Sequence, residues 1–228
     1  MLQSIHSAFD EIQHAGQEHL DPDYVMTYDR KAGTDPTGDL QILRSLGLNK
    51  TDTLVDIGAG TGTFALAAAP FCHHVFAVDM SSAMLTRLQQ KAKKQKINNV
   101  TPVQQGFLSY EHQGGQVDFI YSRHALHHIP DFWKVVALKR LATILKSGGF
   151  FVLRDLIFSC KPDEVDEIVE NWLASANATP ELGWTRSELE IHLREEHSTF
   201  NWLLEPMLRS VGFEIQQVKH DSLRVRSS

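Results

Sequence analysis

Short apolar runs alternate along this chain with longer stretches in which apolar residues recur at helical spacing. Leu54-Val55-Asp56-Ile57, Val75-Phe76-Ala77-Val78, Val100-Thr101-Pro102-Val103, Val117–Ser122 and Phe150–Asp155 have the length and the β-branched or aromatic content of strands. Residues 37–47 carry leucines at helical spacing, with Gly47 as a stop. Ser81-Ser82 opens a second helix that runs through Lys96 until Asn98-Asn99 breaks it. A third runs from about Phe132 to Leu145, with Asp131 placed to cap it and Lys146-Ser147-Gly148-Gly149 to close it. Strands alternating with helices predict an α/β fold, doubly wound around a mostly parallel sheet with helices on both faces. Pro102 cannot donate to a ladder, so the third strand belongs at an edge.

The first strand ends in glycines. After Ile57 come Gly58, Gly60 and Gly62 on alternate positions, and an alanine-rich helix opens at about Gly62. Without a Cβ the backbone can turn at positive φ and let a ligand approach, and the helix start offers unpaired N–H groups. Seventeen residues beyond Gly62, the second strand ends in Asp79. An acidic residue at that tip is placed to accept hydrogen bonds from a ribose, so the pair reads as a nucleoside site. A dinucleotide fingerprint would want G-x-G-x-x-G, and Thr63 stands where its third glycine belongs.

Val55-Asp56-Ile57-Gly58-Ala59-Gly60-Thr61-Gly62 resembles the first motif of the class I, seven-stranded S-adenosylmethionine-dependent methyltransferases. The match is close over residues 53–64 and looser across about 40–155. Val117–Ser122 followed by Ala125-Leu126-His127-His128 is similar to the family's fourth motif, and Leu145-Lys146-x-Gly148-Gly149 leading to Asp155 is also family-like. The resemblance implies a seven-stranded sheet whose last strand is antiparallel, with S-adenosylmethionine as cofactor. It further implies cofactor contacts from Tyr28, Asp56, Gly58, Gly60, Gly62, Asp79, Met80, Gly106, Phe107, Ser122 and Arg123. Asp79 would hold the ribose hydroxyls, and Met80 and Phe107 would flank adenine. Residues 1–35 read either as a frayed extension or as a cap over the cofactor mouth. Relatives use a segment with a Tyr-Asp pair as such a cap, here Tyr28-Asp29.

The chain departs from the family in two places. Relatives usually carry an aspartate after the third strand to hold the adenine amino group; here Gly106 and Phe107 follow Gln105. Backbone groups or Gln105 are the available substitutes. Some forty extra residues also lie between Asp155 and Thr199, with helices expected over Pro162–Ala176 and Ser187–His197. An insertion at the carboxyl end of the fifth strand overhangs the crevice where such sheets bind ligands, so residues 156–198 read as a substrate lid. A further helix from Thr199 to Val211 leads to a strand at Phe213–Val218, and Leu223–Arg226 leaves room for only a very short last strand. The whole of 1–228 is expected to form one domain.

Methyl transfer from a sulfonium needs mainly alignment of the nucleophile, so no fixed catalytic residue is required. A general base helps with a hydroxyl, phenol or acidic carbon, and His127 and His128 are the candidates at the crevice edge. For each, the competing reading is a histidine packed under the following helix. No convergent ligand set points to a metal. The absence of [DN]-P-P-[FY] and of a Pro-Cys nucleophile leaves a small-molecule acceptor, its O-, N- or C-nucleophile undetermined. Two other functions stand as alternatives: a protein that shares these motifs and binds S-adenosylmethionine or S-adenosylhomocysteine without turnover, and a nicotinamide-dependent oxidoreductase, disfavoured by Thr63.

Composition narrows the setting. A formal net charge of −6 over 228 residues gives no global attraction to nucleic acid or anionic membrane. The basic residues Arg87, Lys91, Lys93, Lys94 and Lys96 read as a solvated helix face. Two cysteines suit a reducing compartment, and the N-terminus lacks signal-peptide features, so a cytoplasmic protein is expected.

Overall fold

The computed structural model describes residues 9–14, 25, 35–179, 183–219 and 222–227. Tyr28 and most of the expected N-terminal cap therefore lie outside the described residues.

The main sheet contains β1 (Thr53–Ile57), β2 (His74–Asp79), β3 (Val100–Gln104), β4 (Val117–Arg123) and β5 (Leu145–Arg154). They lie side by side in the order β3-β2-β1-β4-β5, and every pairing among them is parallel. The α/β class and the mostly parallel sheet are as the sequence indicates. β3 is the edge, as Pro102 requires. Past β5 the order continues through β9 (Ser222–Ser227) to β8 (Phe213–Lys219), both of these pairings antiparallel. β9 is longer than the polar tail suggests. β5 also begins earlier than its apolar run, with an irregular register against β4 before Phe150.

Alternate residues of the central strands enter two different cores, which is why these strands read as continuous apolar runs. Val55, Ile57, Ile120, Phe151 and Leu153 face one core. Leu54, Phe119, Tyr121 and Val152 face the other. The second core is closed by helices Thr37–Ser45, Thr63–Ala68 and Ser82–Gln95. The first is closed by Asp131–Ile144 and Asn201–Ser210. Asp131 is the first residue of its helix rather than its cap, which is Pro130. Its carboxylate bonds Lys134 Nζ at 2.9 Å and accepts from Thr199 Oγ1 at 3.1 Å, tying that helix to the far end of the insertion.

Between Asp155 and Asn201 the structure places helices Val165–Ala174 and Arg186–Glu195 and a two-stranded parallel pair, Ile157–Phe158 with Thr199–Phe200. The pair brings the two ends of the segment together. Trp172 packs edge-on against His192 across the two helices, with ring centroids 5.5 Å apart.

Two features of the β1 end invite a stability measurement. Gly62 precedes its helix at φ 76°, and a Cβ there would lie 2.4 Å from Leu88 Cγ. Gly62→Ala should lower unfolding free energy by roughly 2–4 kcal/mol, combining left-handed strain with overpacking; an unchanged urea midpoint would contradict this. Asp56 is 2% exposed and accepts a bond from the Ala65 amide. Burial, reinforced by the Asp79 charge, pushes its pKa up to about 8 from 3.8. A raised acid pKa costs stability progressively as pH rises from about 4 to 8, because the folded state must hold or surrender a proton that the unfolded state has already lost. Asp56→Asn should therefore melt higher than the wild type at pH 8, with the difference vanishing toward pH 4. A constant offset across that range would show that ionisation is not the cause.

Candidate active site

The strand order reverses direction between β1 and β4, and a crevice opens there at the carboxyl ends of the strands. A cleft lies at this point, at the topological switch where open α/β sheets take their ligands. Gly58 and Gly60 form its floor, Asp79, Met80 and Met84 one wall, and Gly106 and Phe107 another. Arg123, His124, Ala125, His128 and Ile129 come from the end of β4 and the turn after it.

Backbone hydrogen bonds build the floor. Gly58 and Ala59 donate to the Val78 carbonyl at 2.8 and 3.0 Å, and Gly60 donates to Asp79 Oδ2 at 2.7 Å. The other carboxylate oxygen of Asp79 accepts from Ser81 at 2.8 Å, and Ser81 Oγ caps the next helix by accepting from Met84. The glycine corner and the acid are thus held in one piece. Gly58 sits at φ 76°, where a Cβ would overlap the Cβ of Ala125 at 2.2 Å, so the two loops approach through bare backbone.

Several sequence-predicted residues lie elsewhere. Asp56 is buried beneath the corner, with Oδ2 unpartnered among the described residues. Gly62 meets Leu88 rather than the cleft. Ser122 is fully buried behind the wall. Asp56 and Gly62 belong to the first motif and Ser122 to the fourth, but strand alternation turns the side chains of Asp56 and Ser122 into the fold.

The two candidate bases separate as well. His128 lines the cleft, whereas His127 does not. His127 Nδ1 is hydrogen-bonded to Asp155 Oδ1, and its Nε2 lies 3.0 Å from Glu196 Oε2. Burial alone would lower its pKa, but the two carboxylates override that and push it up to about 10. An imidazolium locked between two anions cannot accept a proton, so His127 is not placed to act as a base. Against the cost of burial, His127 in turn holds Asp155 and Glu196 below the usual carboxylate range. His192 Nδ1 adds a further contact to Glu196 Oε2 at 2.6 Å. The ligand-type atoms of His127, His192 and Glu196 lie within 4.8 Å of one another. In the structure an ion-pair network through Glu196 holds them together.

The sequence reading missed three elements. His124 lines the cleft at φ 49°, a strained value for a non-glycine residue, and burial lowers its pKa to about 4, so it is neutral. Asp39, 2% exposed, accepts from Tyr121 Oη at 2.8 Å and from Arg123 Nη1 at 3.0 Å, orienting the arginine that faces the cleft. Phe9 and Glu11 reach the cleft from the short helix Glu11–His14 and the residues before it. Glu11 lies almost a hundred residues from its contacts, so no local pattern could announce it.

Residues 54–149 match the methyltransferase domain family. An uncharacterized methyltransferase of Oceanobacillus iheyensis is 27% identical over 128 residues, covering 56% of this chain and 58% of that protein. The uncharacterized methyltransferase YcgJ of Bacillus subtilis is 33% identical over 102 residues, covering 45% and 40%. The chain therefore aligns with less than two thirds of either relative. The crystal structure of YcgJ superposes with a TM-score of 0.63 at 23% identity, over 80% of this chain and 71% of that one. Phosphoethanolamine N-methyltransferase 2 of Haemonchus contortus, solved with phosphomonomethylethanolamine and S-adenosylhomocysteine, superposes at 0.65 with 21% identity, covering 91% and 46%. At these identities the structural likeness is one of fold. The matches therefore show a methyltransferase-domain likeness over residues 54–149 and, over most of the chain, the α/β fold that solved methyltransferases share.

Proposed function

We propose that this protein transfers a methyl group from S-adenosylmethionine to a small-molecule acceptor. The observation that carries the reading is the bond from the Gly60 amide to Asp79 at the floor of the cleft, which makes a bare-backbone corner and a carboxylate into one surface. S-adenosylmethionine supplies a sulfonium-bound methyl group to an acceptor aligned with it. The carboxylate of Asp79, aimed by the Gly60 and Ser81 amides, is the acceptor for the ribose hydroxyls. Gly58 and Gly60 leave room for the amino-acid end, and Met80 and Phe107 present apolar surface to a base. Arg123, His124 and His128, on the opposite side, face the acceptor. His128 is the remaining candidate base there, and the neutral His124 offers a hydrogen bond without charge.

The segment between Asp155 and Thr199 acts in this reading as the acceptor lid. Its far end is held to the site by the His127 network, by the His197 amide donating to the His127 carbonyl at 2.7 Å, and by Lys134 Nζ on the His197 carbonyl. Among the described residues no helix is long and apolar enough to cross a membrane.

Calorimetry should show S-adenosylmethionine and S-adenosylhomocysteine binding to the wild type, with NADH inert. Asp79→Ala should weaken that binding by roughly 10²-fold, from the loss of charge-assisted hydrogen bonds worth about 1.5–3 kcal/mol each. Tight NADH binding, or an unaffected Asp79→Ala variant, would remove the basis of the proposal. With the true acceptor, found by screening phenols, quinones and amines for S-adenosylhomocysteine release, His128→Ala should lower turnover on the order of 10²-fold and leave cofactor affinity unchanged. Equal turnover would dismiss His128 as the base.

The His127 network makes a separate pH prediction. The pKa of His127 rises from 6.5 to about 10 on folding, so its stabilisation is complete below about pH 6.5 and is lost as pH climbs toward 10. Asp155 and Glu196 shift downward, so theirs is present above the ordinary carboxylate range and is lost in acid. Thermal melts should therefore fall on both sides of about pH 5–6.5, and His127→Gln should flatten the alkaline limb. An alkaline slope like that of the wild type in this variant would show that the imidazolium is not the clasp.

A further inference from the structure

Glu11 is a half-buried carboxylate with no place in the methyl-transfer scheme above. Its Oε2 accepts from the Leu108 amide at 3.0 Å and from Ser109 Oγ at 3.2 Å. The same Ser109 hydroxyl accepts from the Gly106 amide at 2.7 Å and lies 3.9 Å from Met80 Sδ. Glu11 thus sits one side chain away from Met80, which follows Asp79 in the chain, and it lines the same cleft as both. Burial raises its pKa, against the lowering effect of the Leu108 and Ser109 bonds.

The neighbouring residue explains how the carboxylate gets there. A Cβ on Gly106 would lie 2.4 Å from Glu11 Oε1 and 2.6 Å from Cδ, so any other residue at 106 would expel it. The strand-end position that could have carried an acid of its own is vacant, and an acid from the N-terminal segment fills it. That segment is docked in turn. Phe9 packs on Trp133 with centroids 5.7 Å apart, and His14 on His197 at 5.6 Å.

We propose that Glu11 recognises the adenine of the bound nucleoside by accepting a hydrogen bond from its exocyclic amino group. The inference rests on the cofactor reading above. Once Asp79 takes the ribose, the attached base must lie toward Met80 and Phe107, and Glu11 is the carboxylate on that side. The Leu108 amide and the Ser109 hydroxyl both bond Oε2, with the Phe107 and Ser109 amides also turned toward the carboxylate, so Oε1 is the oxygen placed to meet an amino donor. Discrimination follows from chemistry: hypoxanthine presents a carbonyl oxygen where adenine presents its amino group, and two acceptors would then face each other without a proton between them. The N-terminal segment is therefore part of the binding site, and cofactor and segment hold each other in place.

The test compares S-adenosylhomocysteine with its deaminated analogue, S-inosylhomocysteine, by calorimetry on the full chain. The wild type should prefer the adenosyl compound by roughly 10–100-fold, the range for a hydrogen bond to a charged group. Glu11→Gln keeps an acceptor for Leu108 and adds an amide donor, so it should lose most of that preference, chiefly by binding the adenosyl compound more weakly. A purely structural role for Glu11 would weaken both ligands equally and leave the ratio intact, which would overturn the inference, as would a wild type that does not discriminate. Should Glu11→Gln melt too low to assay, the wild-type ratio and the Asp10→Asn variant, which leaves the carboxylate in place and should keep the preference, still decide. Failure of the wild type to bind either ligand would overturn this inference and the methyl-transfer reading together. Binding with a ratio that ignores Glu11 would overturn only this one.

Discussion

The bond between the Gly60 amide and the Asp79 carboxylate is the constraint on which the site depends. It spans the carboxyl ends of two adjacent parallel strands whose register sets the distance, with Ile57 paired to Val78. The Val78 carbonyl takes the amides of Gly58 and Ala59, and Asp79 takes those of Gly60 and Ser81. The turn is therefore fixed by the strand beside it rather than by its own sequence. Both Asp79 oxygens are aimed by backbone donors before any ligand arrives, which reduces the ordering cost of binding. The nearby buried Asp56 feels the same charge and is held largely protonated at neutral pH.

A second network carries the other half of the crevice. Asp155 at the end of β5, His127 in the turn after β4 and Glu196 at the end of the insertion share one buried imidazolium. Three segments distant in sequence are joined through a single ring. Removing any member would leave an uncompensated charge inside the protein, which is costlier than the pair is stabilising. The segment between Asp155 and Thr199 is thus joined electrostatically to the loop that bears His128.

The N-terminal segment meets this frame from the opposite side, with Glu11 seated over the amides of Leu108 and its neighbours and His14 beside His197. The wall of the cleft is therefore assembled from three places: strand ends, the β4 turn and a short helix near the start of the chain. Apart from Gly58, Gly60 and Asp79, few of these parts carry a recognisable motif.

Apolar runs, glycine spacing and the acid at residue 79 were enough to indicate the α/β class, the edge position of β3 and the nucleoside-like corner, because those features are local and strand periodicity writes them directly into the chain. The same periodicity could not say which motif residues face a ligand. Asp56 and Ser122 sit within their motifs, yet their side chains turn into the fold, and Gly62 is required by Leu88 rather than by a cofactor. Nor could it separate His127 from His128, since two adjacent histidines differ only in what lies across from them, and those partners are 28 and 69 residues away at Asp155 and Glu196. The missing acid after β3 was visible as a gap, but only tertiary contact brought Glu11 into it. The sequence by itself determined the scaffold and the corner, whose interactions run between neighbours along a strand or across one pairing. The packed chain decided the protonation of His127, the burial of Asp56 and the place of Glu11, because each depends on charges and surfaces that meet only on folding.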